Sequence, residues 1–593
     1  MLSDKDKSGR CRWNEVSVTV MAVALFAVLA LCRRDSLLKL ESVSLFLYTP
    51  LFFTGQMCMP GGFLTYSSAF LTQFLHIPVL GALICTLLAL LLTRVSYSAF
   101  RLNEGNRPLA LVLPVSAFAI MGGLGYEIFM LKDIGFFFAQ LLGLLGMGVG
   151  ICLFRKFKSS GARIIYTAIW CFAGFAVMGL YASLATVAMM IVICREEVRT
   201  SAGIAIAVIF CLLLCAVPYM WYLIYSTDNP AGIYLTGLPD IPGVLKHFWC
   251  PYLFIVVSVI LLALLSTFPE RTVKLKWQLL PIALSVVQTL VITAEDPVFK
   301  AENTMAMAAD RCNWERIIET AEKFEKRNSR EPSRAMRVYL DLALLKTGRE
   351  NEAFSFTEGS GRQNAVTHTS LTLQCGKRIY YHYGMTNFSY RWCVEDCMRQ
   401  GETFESLKYM ILSSVAGGMP QAEELTELMR HTLFYRKWAE RPGETAYTPD
   451  VTPLIIKENE LAPEEPLLEI SLLNHFTGHL DDVTSAGFDR IALYFALKSK
   501  QPGLFWNHFV KYMNSNRPSS IPEKYQEALL LFDEIASIPA YGITYSDSVL
   551  NRWSDFLQLV ETNEADRVAG LSFNEFGRTF WYYYYFVNDI KTF

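Results

Sequence analysis

The chain has 593 residues, of which 52% are hydrophobic and 18% charged, and its formal net charge is −2. A soluble globular protein carries about a quarter charged residues, so a small soluble enzyme, a secreted disulfide scaffold and a disordered chain are all excluded. A pI near 6.5 with no basic stripe removes nucleic acid as a partner, since nothing is there to neutralise phosphate.

The mean hydropathy of +0.29 averages two unlike halves. Residues 16 to 294 are mostly Leu, Ala, Val, Ile, Phe and Gly, and from Glu295 onward charged and polar residues enter every window. Lys5, Lys7, Arg10 and Arg12 precede an apolar run from Val16 to Cys32. That run is too long for a signal-peptide core, and Leu31 is too large for the residue before a lipoprotein cysteine, so it reads as an uncleaved membrane helix. A hydrocarbon core of about 30 Å takes about 20 apolar residues of helix. Further runs of this kind lie near 76–93, 108–124, 133–153, 163–179, 180–194, 201–225, 250–268 and 277–294, which predicts about nine crossings. Val43 to Met59 is apolar but short, and it leads into Pro60-Gly61-Gly62.

Cytoplasmic loops collect Lys and Arg. The basic clusters are the N-terminus, Arg94/Arg101/Arg107, Arg155/Lys156/Lys158/Arg163, Arg195/Arg199 and Arg271/Lys274/Lys276. They fall on one side only if residues 33–76 do not cross. The expectation is a multi-pass domain over 1–296 in the inner (cytoplasmic) membrane, with a long first external loop at 33–76. Ser98 and Ser159 then face the cytoplasm, while Gly61, Asn229 and the chain after Glu295 face a periplasmic space. Gly143, Gly146, Gly148 and Gly150 mimic a phosphate-cradling loop, but they lie mid-helix with no strand before them. Small residues there permit close helix packing.

The second half, 297–593, reads as helical hairpins. Trp314, Ile317, Ile318, Ala321 and Phe324 recur at helical spacing, Pro332 opens a second helix and Gly348 follows it. A Trp, an Ala, an aromatic and a Pro at these offsets resemble a tetratricopeptide-type repeat. Further hairpins are expected at 377–400, at 404–417 with 420–432, at 484–498 with 503–513, and at 522–537 with 546–560. The fold class is therefore all-α: a multi-pass membrane domain followed by a tetratricopeptide-like solenoid, with an exposed Pro-, Glu- and Thr-rich connector from Pro442 to Pro466. Stacks of this kind present a concave surface to a partner.

Five stretches resemble an uncharacterised family of polytopic membrane proteins from Bacteroidota. They are Glu41-Ser42-Val43-Ser44-Leu45-Phe46-Leu47, Pro60-Gly61-Gly62-Phe63-Leu64-Thr65-Tyr66, Phe70-Leu71-Thr72-Gln73-Phe74, His431 to Ala439 and Ile521 to Leu529. The resemblance covers both halves and implies a multi-pass region with a C-terminal helical-repeat domain. Glu41-Ser42 stands where that family typically has Glu-Gln. More distantly, the architecture is similar to GT-C class glycosyltransferases, which use lipid-phosphate-linked sugar donors. That similarity is of shape: those enzymes often carry two adjacent acids in the first external loop, whereas Asp35 and Glu41 are separated by five residues.

Such a transfer needs a base for the acceptor proton and cationic groups for the departing phosphate. Glu41 is the best-placed base, because the apolar run after it draws it towards lipid, where a carboxylate is costly unless it lines a cavity. Asp35, Glu127 and Asp133 are the acids that could hold a divalent cation. Arg33, Arg34, Lys132, Lys246 and His247 are external groups that could meet the phosphates of a lipid-linked sugar donor. The plainer account makes all of them interfacial charges. His475 and His479 stand four apart, but Gly478 interrupts the helix, and a surface pair is the better account. The run Trp581 to Phe586 could stack on sugars, though a buried helix is simpler.

Three functions remain: a GT-C-like transferase, a non-enzymatic scaffold whose repeats recruit envelope proteins beside membrane lipid, and a transporter. The last predicts inverted halves with paired broken helices, and no such symmetry is visible. An enzyme should bring Glu41 and a second acid or base onto an open cavity. A scaffold should have that cavity filled by side chains.

Overall fold

The computed structural model describes residues 4–121, 126–129, 135–197, 201–225, 232–239, 249–268, 271–292, 296–327, 332–349, 352, 375–446, 486–516, 518–536, 543–562 and 575–587. Among these residues the regular elements are all helices. The chain forms two compact units. One takes residues 1–300 together with 396–408 and 423–442; the other takes 301–395, 409–422 and 443–593.

In the first unit, α1 (Asp4–Ala27) runs into a π-helical turn at Val28–Cys32 and then bends by 74° into α2 (Arg34–Ser42). A π turn carries one extra residue and breaks the regular hydrogen-bond ladder, which lets α2 leave the axis of α1. Next, α3 (Pro50–Met57) opens on a proline, and Thr49 Oγ1 accepts from the Phe52 N–H at 3.2 Å. Before α4 (Gly62–Thr72), Gly61 sits at φ 70°, a conformation that glycine adopts without a Cβ penalty. Its N–H donates to Ala176 O at 2.9 Å, and a Cβ there would meet Thr236 at 2.9 Å.

The apolar helices follow as α5 (Pro78–Ala99), α6 (Val112–Met121), α7 (Phe136–Phe154), α8 (Ser160–Ile169), α9 (Phe175–Met178), α10 (Leu180–Glu197), α11 (Ser201–Tyr225), α12 (Trp249–Leu265) and α13 (Leu275–Ile292). Among the described residues, four helices, spanning 78–99, 136–154, 160–178 and 205–225, are long and apolar enough to cross a membrane, and the bent α1–α2 pair brings the number to five when it is counted as one span rather than a re-entrant loop. Shorter apolar helices cover 107–118, 180–195, 249–265 and 277–290. The nine apolar runs of the sequence thus fall on four long helices, one bent pair and four short helices.

Burial orders these helices. Of the span in α7, 72% is buried, against 17% for α11, so α7 is central and α11 peripheral. On α11, Val208, Ile209, Leu212, Leu223 and Ile224 are exposed, as a lipid-facing stripe would be. The glycines of α7 permit the close packing expected of them. A Cβ at Gly143 would stand 2.3 Å from the Tyr181 ring, and one at Gly150 would stand 2.5 Å from Trp170. Several basic clusters meet at one end of the unit. Arg101 donates to Arg155 O at 3.3 Å, Arg155 donates to Ser266 Oγ at 2.6 Å, and Asn106 Nδ2 donates to Arg271 O at 2.8 Å. The Arg195 guanidinium lies 5.1 Å over the ring of Phe268 in the same place.

In the second unit, helices Trp314–Arg327 and Arg334–Thr347 pack on one another. Ser333 caps the latter by accepting from the Met336 N–H, and Gly348 ends it at φ 70°. Ala486–Lys498 packs on Pro502–Asn516, and Glu523–Ala536 packs on both Asp547–Thr562 and Phe580–Phe586. The first half of the aromatic run is core and Tyr585 is exposed: Trp581, Tyr582 and Tyr583 are buried, and Trp581 Nε1 donates to Glu527 O at 2.8 Å.

Candidate functional site

Helix α2 turns the polar residues of its second half inward: Lys39, Glu41 and Ser42 are buried beside Leu37 and Leu40. A buried charge is tolerable only with a partner, and the partners come from 396–408 and 423–442, the late segments of the same unit. Lys39 Nζ lies 2.5 Å from Glu405 Oε2, with both side chains under 5% exposed. Ser42 Oγ donates to the same carboxylate at 3.2 Å. Backbone bonds run alongside, with Phe404 N–H donating to Ser44 O at 3.2 Å and Tyr48 N–H donating to His431 O at 2.8 Å.

Glu41 meets Tyr435. The phenol oxygen lies 2.7 and 2.6 Å from the two carboxylate oxygens, so its single proton is shared between them. His76 Nδ1 is 2.9 Å from the same phenol oxygen and 3.8 Å from Glu41 Oε1. With the Tyr435 proton directed at Glu41, His76 donates from Nδ1 to the phenol oxygen. This tautomer is assigned from the network. The order imidazole, phenol, carboxylate is a chain along which a proton can pass between a half-buried ring and a buried acid. Rings hold the chain in place: His76 stacks on Phe434 at 4.8 Å, and Tyr435 stacks on Phe404. Beside it, Phe46 packs edge-on against Tyr48, Phe52 and Phe70 and tilts over Tyr66.

The cavity left at this point, between Glu41, Gln73, Phe404 and Tyr435, has a volume of about 20 Å³. That is room for about one water molecule.

Of the residues singled out in the sequence, Glu41 therefore stands at the centre of a polar cluster. Asp35 is half-buried in the first turn of α2, Arg33 is buried at the bend, where its N–H donates to Val28 O at 3.1 Å, and Arg34 is exposed. None of these three lines the Glu41 cavity. Glu127 belongs to the short turn Tyr126–Phe129, and its side chain lies outside the described residues. Lys132, Asp133, Lys246, His247, His475 and His479 lie outside them as well. Among the described residues, no group of three His, Cys, Asp or Glu side chains could hold a metal ion.

Sequence reasoning missed Lys39, His76, Glu405 and Tyr435. Their one signal was indirect. Four of the five stretches that carry the family resemblance, those at 41–47, 60–66, 70–74 and 431–439, meet around this cluster.

A family model described as "Family of unknown function (DUF6057)" matches residues 11–470 and 489–587, and so takes in both compact units. No curated protein and no solved structure matches the chain.

Proposed function

The chain belongs to the family of unknown function DUF6057, and we propose that it is an integral membrane protein serving as a non-enzymatic platform. In this reading its apolar unit anchors the chain in the cytoplasmic membrane of the cell envelope. The basic end faces the cytoplasm by the positive-inside rule, and the Glu41 end faces outward. The helical unit, read as a degenerate tetratricopeptide-like stack, recruits envelope proteins. Lys39 and Glu41 act as fasteners: they hold the late segments 396–408 and 423–442 against α2. The observation that carries the reading is the 20 Å³ cavity beside Glu41, which is packed by side chains and too small for a sugar, a lipid phosphate or an acceptor.

A second reading has a specific observation in its favour. The His76–Tyr435–Glu41 chain is the kind of acid and imidazole array that a GT-C-like transferase would use to accept a proton during transfer from a lipid-linked donor. It requires Phe404 and Tyr435 to move aside.

The two are separated by Glu41→Gln in a deletion background, with envelope glycans profiled by mass spectrometry and the purified chain followed by thermal unfolding. The platform reading expects an unchanged glycan profile and a chain less stable by about 1–3 kcal/mol. Loss of envelope glycans with unchanged stability would establish the transferase instead.

A further inference from the structure

A second cavity in the membrane unit has a different character. It holds about 530 Å³ and lies where α1, the end of α5 and the turn Arg107–Leu111 meet. Its apolar wall includes Val18, Leu90 and Leu111, and its rim carries Arg94, Tyr97 and Arg107. Leu90, Arg94 and Tyr97 are four and three residues apart on α5, so they share one helix face. Arg94 is exposed and makes no ion pair among the described residues. The Arg107 guanidinium lies 5.4 Å over the Tyr97 ring, and its carboxylate neighbour among the described residues, Glu104, is 3.5 Å away and mostly exposed.

We propose that this cleft binds an anionic phospholipid, with the phosphate on Arg94 and Arg107 and the start of an acyl chain along Val18, Leu90 and Leu111. Three features select that occupant. The volume lies in the range of about 300–1,000 Å³ that organic ligands fill, far more than a bare phosphate needs. Guanidinium groups bind phosphate through paired hydrogen bonds. Basic pockets between membrane helices, bordered by an interfacial tyrosine, suit lipid headgroups. The proposal rests on the apolar unit lying in a bilayer and is independent of what Glu41 does.

The test uses the full chain, purified, delipidated and reconstituted into phosphatidylcholine vesicles containing phosphatidylglycerol. Co-flotation with the vesicles checks the membrane reading by itself. Lipid retained after gentle extraction is then counted by native mass spectrometry. Phosphatidylglycerol should be enriched about 25-fold over phosphatidylcholine. Each arginine near a membrane surface contributes about fivefold, so Arg94→Gln with Arg107→Gln should abolish the enrichment while the chain still floats. Glu104→Gln removes a competing carboxylate and should raise the enrichment, which keeps the proposal testable if the double variant misfolds. Equal enrichment in the arginine variant, or displacement of phosphatidylglycerol by 10 mM inorganic phosphate, would overturn the proposal. A chain that does not float would overturn the membrane reading as well.

Discussion

The two compact units both bury charge, and they do so across very different stretches of chain. In the helical unit, Arg378 grips Asp310 with Nε at 2.8 Å and Nη2 at 3.1 Å, over 68 positions of sequence. Tyr409 donates to the same carboxylate, and burial, then the Asp310 charge, pushes its phenol well above the ordinary value. Tyr494 donates to Asp341 and is pushed up by burial and then by that acid. In the apolar unit, Lys39 reaches Glu405 over 366 positions and Glu41 reaches Tyr435 over 394. The first set ties neighbouring helices within that unit. The second fastens late chain to early chain, so its loss should free a segment rather than loosen a helix pair.

The largest expected effect breaks that second set. Lys39→Met leaves Glu405 buried without its cation and should cost about 3–5 kcal/mol, whereas Lys39→Met with Glu405→Leu should recover most of the loss. Thermal unfolding of the purified chain across the double-mutant cycle reads both. In the helical unit, Asp310→Asn weakens two partners at once and should cost about 3 kcal/mol, read by denaturant unfolding with the change confined to that unit.

The helices themselves were largely legible. Trp314 to Phe324 and the Ser333 and Gly348 boundaries follow from a 3.6-residue period and capping chemistry, and the predicted hairpin limits lie within a few residues of those observed. The close glycine face of α7 was legible too, because small residues in an apolar helix have few other uses. The site was half-legible. Glu41 stood out because a carboxylate before an apolar run needs an explanation, but nothing in local sequence tells which distant side chain supplies it. Hydropathy assigns 396–408 and 423–442 to the polar half, and a pattern of period 3.6 carries no information about pairing over 394 residues. The bend at Val28–Cys32 was invisible for another reason: a π turn leaves composition unchanged.

A pH dependence sharpens the comparison, since it belongs to the helical unit. His508 is fully buried, and burial, then the nearby Lys511 charge, lowers its imidazole from 6.5 to about 4. The neutral form stabilises the fold, so this contribution is whole above pH 6.5 and is lost as pH falls towards 4. It should amount to about 2 kcal/mol after allowing for solvent screening. His508→Gln should flatten the decline in stability between those pH values. The smallest effect is a control. Lys323 and Glu319 form an exposed pair at 3.0 Å, and Lys323→Ala should change stability by less than about 0.5 kcal/mol.

The central claim, that Glu41 and Tyr435 fasten the late segments to α2, is tested most directly by hydrogen exchange on the reconstituted full chain. In the Glu41→Gln, Tyr435→Phe variant the amides of 423–442 should exchange about tenfold faster, a loss of about 1.4 kcal/mol of local protection, while α5 and α7 keep the wild-type pattern. Unchanged protection across 423–442 would contradict the account.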